Sequence, residues 1–278
     1  MDVFPVDWLA RDVDNKYVIT MFGKTPAGCS VAAHITFYPY FYVQVPPTHG
    51  TGQVAFFIAQ ACTQVNAVKR YCRAVERMSM WGFTNNTKHR FVQLAFPSLV
   101  AMKAAARKYR DDKMTTYESG MDPLLRFFHI RDIGPSQWVR INSFSRLEDS
   151  ARLTTTQMEI ATEFTAVTAS PLTTQPPLIL GSWDIEAYSK SRRFPQAENE
   201  DDAIIQIATT FQKYGDPKPY RTSVMALKHT ADVDGVDVAW FDDEADLINA
   251  WCDELARESV DVLVSYNGDQ VTSRVTTS

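Results

Sequence analysis

Cysteine is scarce in this chain of 278 residues. Cys29, Cys62, Cys72 and Cys252 are scattered, with no Cys-x-x-Cys pair among them. That spacing argues against a disulfide framework or a zinc ribbon and for reduced thiols in an intracellular protein. Long apolar runs are missing too. None approaches the roughly 20 residues that cross a bilayer as a helix, so no membrane partner is expected. The opening Met1-Asp2-Val3-Phe4-Pro5 has no basic stretch of the kind that begins a signal peptide. Net positive charge is lacking as well, the balance being −5.

Hydrophobic residues at 45% and charged residues at 22% fit an ordinary globular protein, long enough for two domains. The charge is unevenly placed. Residues 1–170 carry 19 Lys and Arg against 14 Asp and Glu, whereas residues 171–278 carry 9 against 19. A mildly basic front half can follow a phosphate backbone; an acidic back half repels one unless cations intervene. Two solvated surfaces would give the same totals, and charge alone does not choose between them.

The chain is organised around Leu178-Ile179-Leu180-Gly181-Ser182-Trp183-Asp184-Ile185-Glu186-Ala187. As a strand, this run projects Asp184 and Glu186 from one face. Two neighbouring carboxylates repel each other unless something positive sits between them, and the usual resident is a divalent metal held by oxygen ligands. With 22 Asp and 11 Glu in the chain, one Asp-x-Glu is expected by chance. A second one does occur, at Asp242-Asp243-Glu244, where a helix start explains it.

In the front half, residues 16–23 and 30–36 read as strands around the turn 25–28, and residues 37–46 as a third, strongly aromatic strand whose rings read as core, with stacking on unpaired bases as the alternative. Apolar spacing predicts one long amphipathic helix over residues 53–78, with Lys69, Arg70, Arg73 and Arg77 near its C-terminal end. There they complement the helix dipole or meet a phosphate backbone. A strand at 91–96 and a helix over 98–110 capped by Ser98 follow. His129, among apolar neighbours, reads as a core histidine, and further strands are expected at 138–141 and 157–167. A Thr- and Pro-rich linker at 169–177 leads to the central strand.

The back half continues with a polar loop over 189–202, strands at 203–211 and 223–228, a helix capped by Asp242-Asp243 with Leu247, Ile248, Trp251 and Leu255 on its apolar face, and a buried strand at 261–267. Three hairpin-linked strands, a helix and another strand is the order of a ribonuclease-H-like fold. The expectation is therefore an α/β protein: a mixed α/β domain over 1–170, then an incomplete ribonuclease-H-like domain over 171–278.

Trp183-Asp184-Ile185-Glu186-Ala187, Ala203-Ile204-Ile205-Gln206-Ile207 and Val264-Ser265-Tyr266-Asn267 together resemble the first two exonuclease motifs of family B DNA polymerases. In the front half, Phe37-Tyr38-Pro39-Tyr40-Phe41-Tyr42-Val43, Trp81-Gly82-Phe83-Thr84-Asn85-Asn86 and residues 117–138 resemble the N-terminal domain of the delta-like polymerases of large double-stranded DNA viruses. The resemblance implies the amino-terminal part of a replicative polymerase with a 3′–5′ proofreading exonuclease. It further implies two Mg²⁺ or Mn²⁺ ions held by Asp184 and Glu186, and Tyr266 and Asn267 positioning the frayed 3′ end. The implied partners are primer-template DNA and a single-stranded 3′ end, with a sliding clamp as a candidate partner of a further C-terminal part. The implied place of action is the host nucleus or a cytoplasmic viral replication site. A non-catalytic nucleic-acid-binding module and a stand-alone exonuclease of the same fold are the alternatives.

The family pattern places an aromatic and an Asp four and five residues after that Asn, where this sequence has Val271 and Thr272; Asp269 is out of register. The third motif, a Tyr and an Asp on a later helix, does not occur before Ser278, and neither do the polymerase carboxylates. With two of the four expected acids present, the 278-residue chain should release almost no nucleotide from labelled single-stranded DNA in Mg²⁺ or Mn²⁺. Brisk release that Asp184→Ala abolishes would overturn this expectation.

Overall fold

The computed structural model describes residues 1–46, 48–78, 85 and 87–266. The chain divides into two compact units, one of Met1–Thr25 and Cys29–Thr173, the other of Pro26–Gly28 and Thr174–Ser278.

The first unit opens with β1 (Asp2–Val13), β2 (Lys16–Lys24) and β3 (Ser30–Phe37), followed by β4 (Tyr40–Gln44), α1 (Thr51–Gln64), β5 (Arg73–Met78), β6 (Lys88–Ala95), α2 (Leu99–Asp111) and β7 (Thr116–Tyr117). It closes with α3 (Pro123–Arg131), β8 (Val139–Ile141), β9 (Ser145–Arg146), β10 (Met158–Glu163) and β11 (Val167–Ala169). Seven strands form one sheet in the order β11-β8-β1-β2-β3-β10-β9 and four form another, β5-β6-β4-β7. Strand β1 is an addition to the sequence expectation. Its alternation is interrupted by a register shift between Pro5 and Asp7, and it turns into β2 through Asp14 and Asn15, both at positive φ, as two-residue hairpins require. The larger sheet buries Ile19, Met21, Ile35, Phe37, Ile141 and Ile160 with Phe127 of α3, and the smaller buries Phe41, Val43, Val92 and Leu94 under α1 and α2. The aromatic strand is thus core, as its rings suggested, although Pro39 separates β3 from β4. Ser98 caps α2, its Oγ accepting from Ala101 N at 3.1 Å.

Two front-half expectations are corrected. The long helix ends at Gln64. Asn66 takes the left-handed conformation (φ 57°), which Asn tolerates and which ends a helix. Beyond it Lys69 and Arg70 lie on a single 3₁₀ turn, and Arg73 and Arg77 on the edge strand β5. His129 is exposed, not core: the inward face of α3 belongs to Phe127 and Arg126. Arg126 stays buried because Glu118 pairs with it at 2.8 Å and Tyr40 offers its ring 4.1 Å away.

Among the described residues the second unit is one five-stranded sheet and one helix. Its elements are β12 (Ile179–Ser189), β13 (Asp202–Lys213), β14 (Arg221–Leu227), β15 (Asp237–Phe241), α4 (Glu244–Glu258) and β16 (Val262–Val264). The sheet order is β15-β14-β13-β12-β16, antiparallel from β12 to β14 and parallel where β15 joins β14 and β16 joins β12. The hairpin-linked strands and the strand after α4 are those expected from the sequence; its parallel pairing with β12 and the fifth strand, β15, are additions. Asp243 caps α4, accepting from Ala245 N and Asp246 N. Leu247 and Trp251 are its buried face, and the Trp251 ring lies 4.9 Å from Trp183 of β12. The final strand is shorter than expected and not buried: Leu263 and Val264 are each 46% exposed, because β16 forms the sheet's edge.

In the first unit, Glu159 on β10 is a buried carboxylate with a full set of partners. Its oxygens accept from Leu153 N and Thr154 N at 3.0 Å and from Thr154 Oγ1 at 2.8 Å, and lie 2.6 Å from His34 Nε2. Burial by itself raises such a group, yet these bonds prevail and hold it at about 2, below the ordinary 4.5. A depressed folded value means that the stabilisation is present above about 4.5 and is lost as pH falls through about 2, amounting to about 3 kcal/mol. Urea unfolding of Glu159→Gln should show a lower midpoint at pH 7 and a flatter acid limb than wild type. Parallel acid limbs for the two proteins would refute the role given to Glu159.

Candidate metal and nucleic-acid site

The carboxylate pair sits where the alternation of β12 places it. Gly181 and Trp183 point to the side packed by α4, while Ser182, Asp184 and Glu186 are exposed on the other. Trp251 fixes which side is which. Its Nε1–H donates to the buried Thr209 Oγ1 at 2.9 Å, so the next strand, β13, is held by the helix in the same sense. A second clamp lies further along: Ser223 Oγ donates to the buried Glu254 at 2.7 Å, and Arg221 reaches Glu254, Glu258 and Asp237 at 2.7–2.8 Å.

Across the exposed face, Asp184 pairs in register with Ala208, Glu186 with Gln206, and Ser182 with Thr210 on one side and Val264 on the other. A shallow depression is lined by Ser182, Asp184, Ala208, Thr210, Ser265 and Tyr266. Tyr266 is 89% exposed. The structure therefore brings Asp184 and Tyr266 to one depression, with Glu186 two residues further along the same strand face. Directly after Glu186 the β12–β13 register shifts, Glu186 facing Gln206 and Ala187 facing Ile204. A bulge of this kind bends the ladder and re-aims nearby side chains. Asn267, Asp269, Val271 and Thr272 lie outside the described residues, as does the front-half segment 81–86 apart from Asn85.

Ser182, Ala208 and Thr210 were not singled out in the sequence. Ser182 could have been, since it stands two residues before Asp184 and shares its face. Ala208 and Thr210 required the cross-strand register.

Among the described residues Asp184 Oδ1 accepts only from the neighbouring Ile185 N, at 3.0 Å. Among the described residues neither Asp184 nor Glu186 has an ion-pair partner. No group of three or more His, Cys, Asp or Glu is gathered among them either. Two exposed carboxylates on a rigid strand, aimed together and unneutralised, are a donor pair suited to a hard divalent cation. Two carboxylates would supply only some of the six or more oxygen ligands that such cations take, water included.

Residues 114–275 match the family model described as DNA polymerase family B, exonuclease domain. The chain is 39% identical over 270 residues to a DNA polymerase of Paramecium bursaria Chlorella virus NY2A, covering 95% of this chain and 29% of that protein. It is 26% identical over 274 residues to the DNA polymerase delta catalytic subunit of Arabidopsis thaliana, covering 90% and 25%. Among solved structures it resembles the family B DNA polymerase of the hyperthermophilic archaeon Pyrobaculum calidifontis, with a TM-score of 0.63 and 17% identity over 96% of this chain and 30% of that one. The chain thus spans under a third of the length of each of these proteins.

If the pair binds a divalent cation, several millimolar Mn²⁺ should raise the unfolding free energy by about 1 kcal/mol, the linkage for a millimolar site. Asp184→Ala/Glu186→Ala should unfold at or slightly above the wild-type midpoint without metal, because the mutual repulsion is gone, and should not respond to Mn²⁺. An equal Mn²⁺ response in both proteins would place the cation elsewhere.

Proposed function

The chain belongs to DNA polymerase family B, and from that premise we propose that it is the amino-terminal part of a replicative DNA-directed DNA polymerase whose second unit carries a 3′–5′ proofreading exonuclease site. The observation that carries this reading is the placement of Asp184 and Glu186, exposed together on one face of β12 with no cation partner among the described residues. In this reading the two carboxylates hold Mg²⁺ or Mn²⁺. When bound, the two metal ions activate water and stabilise the leaving oxygen of a 3′-terminal phosphodiester.

The chain's own residues do the rest. The sheet fixes the carboxylates, so the ions are located without a costly rearrangement. Helix α4 lies on the opposite face and leaves the acid-bearing face open to a strand end. Tyr266, almost fully exposed at the rim of the Asp184 depression, offers a ring on which a terminal base stacks. The excess of acid in this half keeps phosphate away until metal is present. The substrates in this reading are primer-template DNA and a single-stranded 3′ end. A sliding clamp is a candidate partner of the part beyond this chain. The setting is DNA replication, in the host nucleus or at a cytoplasmic viral replication site, in keeping with the viral polymerases among the relatives.

The test uses the full-length parent with Asp184→Ala/Glu186→Ala. Excision of a mismatched primer terminus should fall by about two orders of magnitude or more. Extension of a matched terminus should remain nearly unchanged, since both substitutions lie on an exposed strand face and cut no core contact. If extension collapsed along with excision, the two acids would be structural and the proofreading assignment would have to be withdrawn.

A further inference from the structure

Gln206 belongs to the run Ala203-Ile204-Ile205-Gln206-Ile207, to which the exonuclease reading gives no role. It stands on β13 in register with Glu186, one row along from the pair Asp184 and Ala208. Residues paired across antiparallel strands share a face and hold their Cβ atoms about 5 Å apart. Gln206 is therefore on the acid-bearing face, directly beside Glu186. The same row continues through Ala226 on β14 to Trp240 on β15.

On this face the surroundings of Gln206 are apolar in every direction but one. Ala208 is two residues along its own strand, buried Ala226 faces it from β14, and Val224 lies on the diagonal. Ile205 is the residue left over by the register shift, beyond which Ala187 pairs with Ile204 and Tyr188 with Ala203. The polar neighbours are Glu186 opposite and Asp184 on the other diagonal, both within a long side chain's reach. Gln206 is half-buried, and among the described residues neither its carboxamide nor the Glu186 carboxylate makes a hydrogen bond. Its strand is held firmly from the helix side. Ile204 N donates to Glu244 Oε1 of α4 at 2.7 Å, and Trp251 of the same helix donates to Thr209 at 2.9 Å.

The residue type narrows the role. A Lys or Arg at this position would pair with Glu186 and compete with a divalent cation. An acid would add a third repelling carboxylate, and an aliphatic side chain would offer Glu186 nothing. A carboxamide donates hydrogen bonds without changing the charge. We propose that Gln206 is a positioning residue for the metal site: its Nε2–H donates to one oxygen of Glu186 and leaves the other for the cation. This rests on the metal reading of Asp184 and Glu186 and extends it. Carboxylates that ligate metals are themselves hydrogen-bonded, and losing such a partner costs roughly ten- to a hundredfold in metal affinity or activity.

The experiment follows Mn²⁺ binding to the whole chain by the electron paramagnetic resonance of the free ion. Gln206→Met keeps the bulk of the side chain and removes the donor. Its Mn²⁺ affinity should fall about tenfold, while its unfolding midpoint in EDTA stays that of wild type. Gln206→Lys should bind Mn²⁺ more weakly still, because its ammonium group meets Glu186 first. In the full-length parent, Gln206→Met should slow excision about tenfold at low Mn²⁺, and raising Mn²⁺ should restore most of the rate. The KM for the strand end and the extension of a matched terminus should not change. Wild-type Mn²⁺ affinity in Gln206→Met, with loss of affinity in Asp184→Ala/Glu186→Ala, would overturn the role of Gln206 and leave the metal reading standing. Wild-type affinity in the double-alanine variant would remove the metal reading, and the role of Gln206 with it. A metal-free midpoint of Gln206→Met that falls along with its affinity would make Gln206 a structural residue only.

Discussion

Everything in the second unit depends on the two-residue period of β12. Trp183 and Asp184 are neighbours, and the pleat sends one into the sheet–helix core and the other into solvent. Trp183 cannot leave that core without parting from Trp251, and Trp251 is tied to Thr209 on the adjacent strand. A slip of one residue would bury both carboxylates against an apolar helix face, at a cost in desolvation far above the worth of any surface contact. The aromatic pair thus determines where the acids stand from the opposite face of the sheet. The polar clamp of Arg221, Ser223 and Glu254 lies on the same side of the sheet and leaves the acid-bearing face free.

In the first unit the corresponding constraint is a single backbone conformation. Asn66 in the left-handed region stops α1 and lets the chain return as the edge strand β5. A helix continued through residue 78 would have spread the four cations over its last turns, where the dipole accounts for them. As a strand, the same sequence sends Arg73 and Arg77 to one face and Ala74 and Glu76 to the other. The electrostatic character of that face is set by the ending of α1.

These two cases show what a sequence discloses and what it hides. The common face of Asp184 and Glu186 was legible because strand period and residue spacing coincide, and Ser98 and Asp243 were legible as caps because their side chains act within a few residues. The end of α1 was hidden, because Val65, Val68, Cys72 and Val75 continue a helical spacing by chance. His129 misled for a related reason: apolar neighbours along the chain are not neighbours around a helix, and α3 turns His129 outward while burying Arg126. Apolar composition also overstated the burial of residues 261–267. Val262, Leu263 and Val264 form an edge strand, and an edge position follows from strand order, not from hydrophobicity. Strand β1 escaped notice because Pro5 and the adjacent register shift break its alternation.

The acidic second unit faces a chemical problem set by its substrate in the proposed reading. A DNA strand is a row of negative charges, and any surface that holds one must offset them. The carboxylate pair on β12 adds negative charge of its own, and in the proposed reading divalent ions reverse the local sign there. Hydrolysis needs a bound water made nucleophilic and a leaving oxygen stabilised, which metal ions provide. The excess of acid over residues 171–278, ambiguous when summed along the chain, is what a surface that admits phosphate only with metal in place would require.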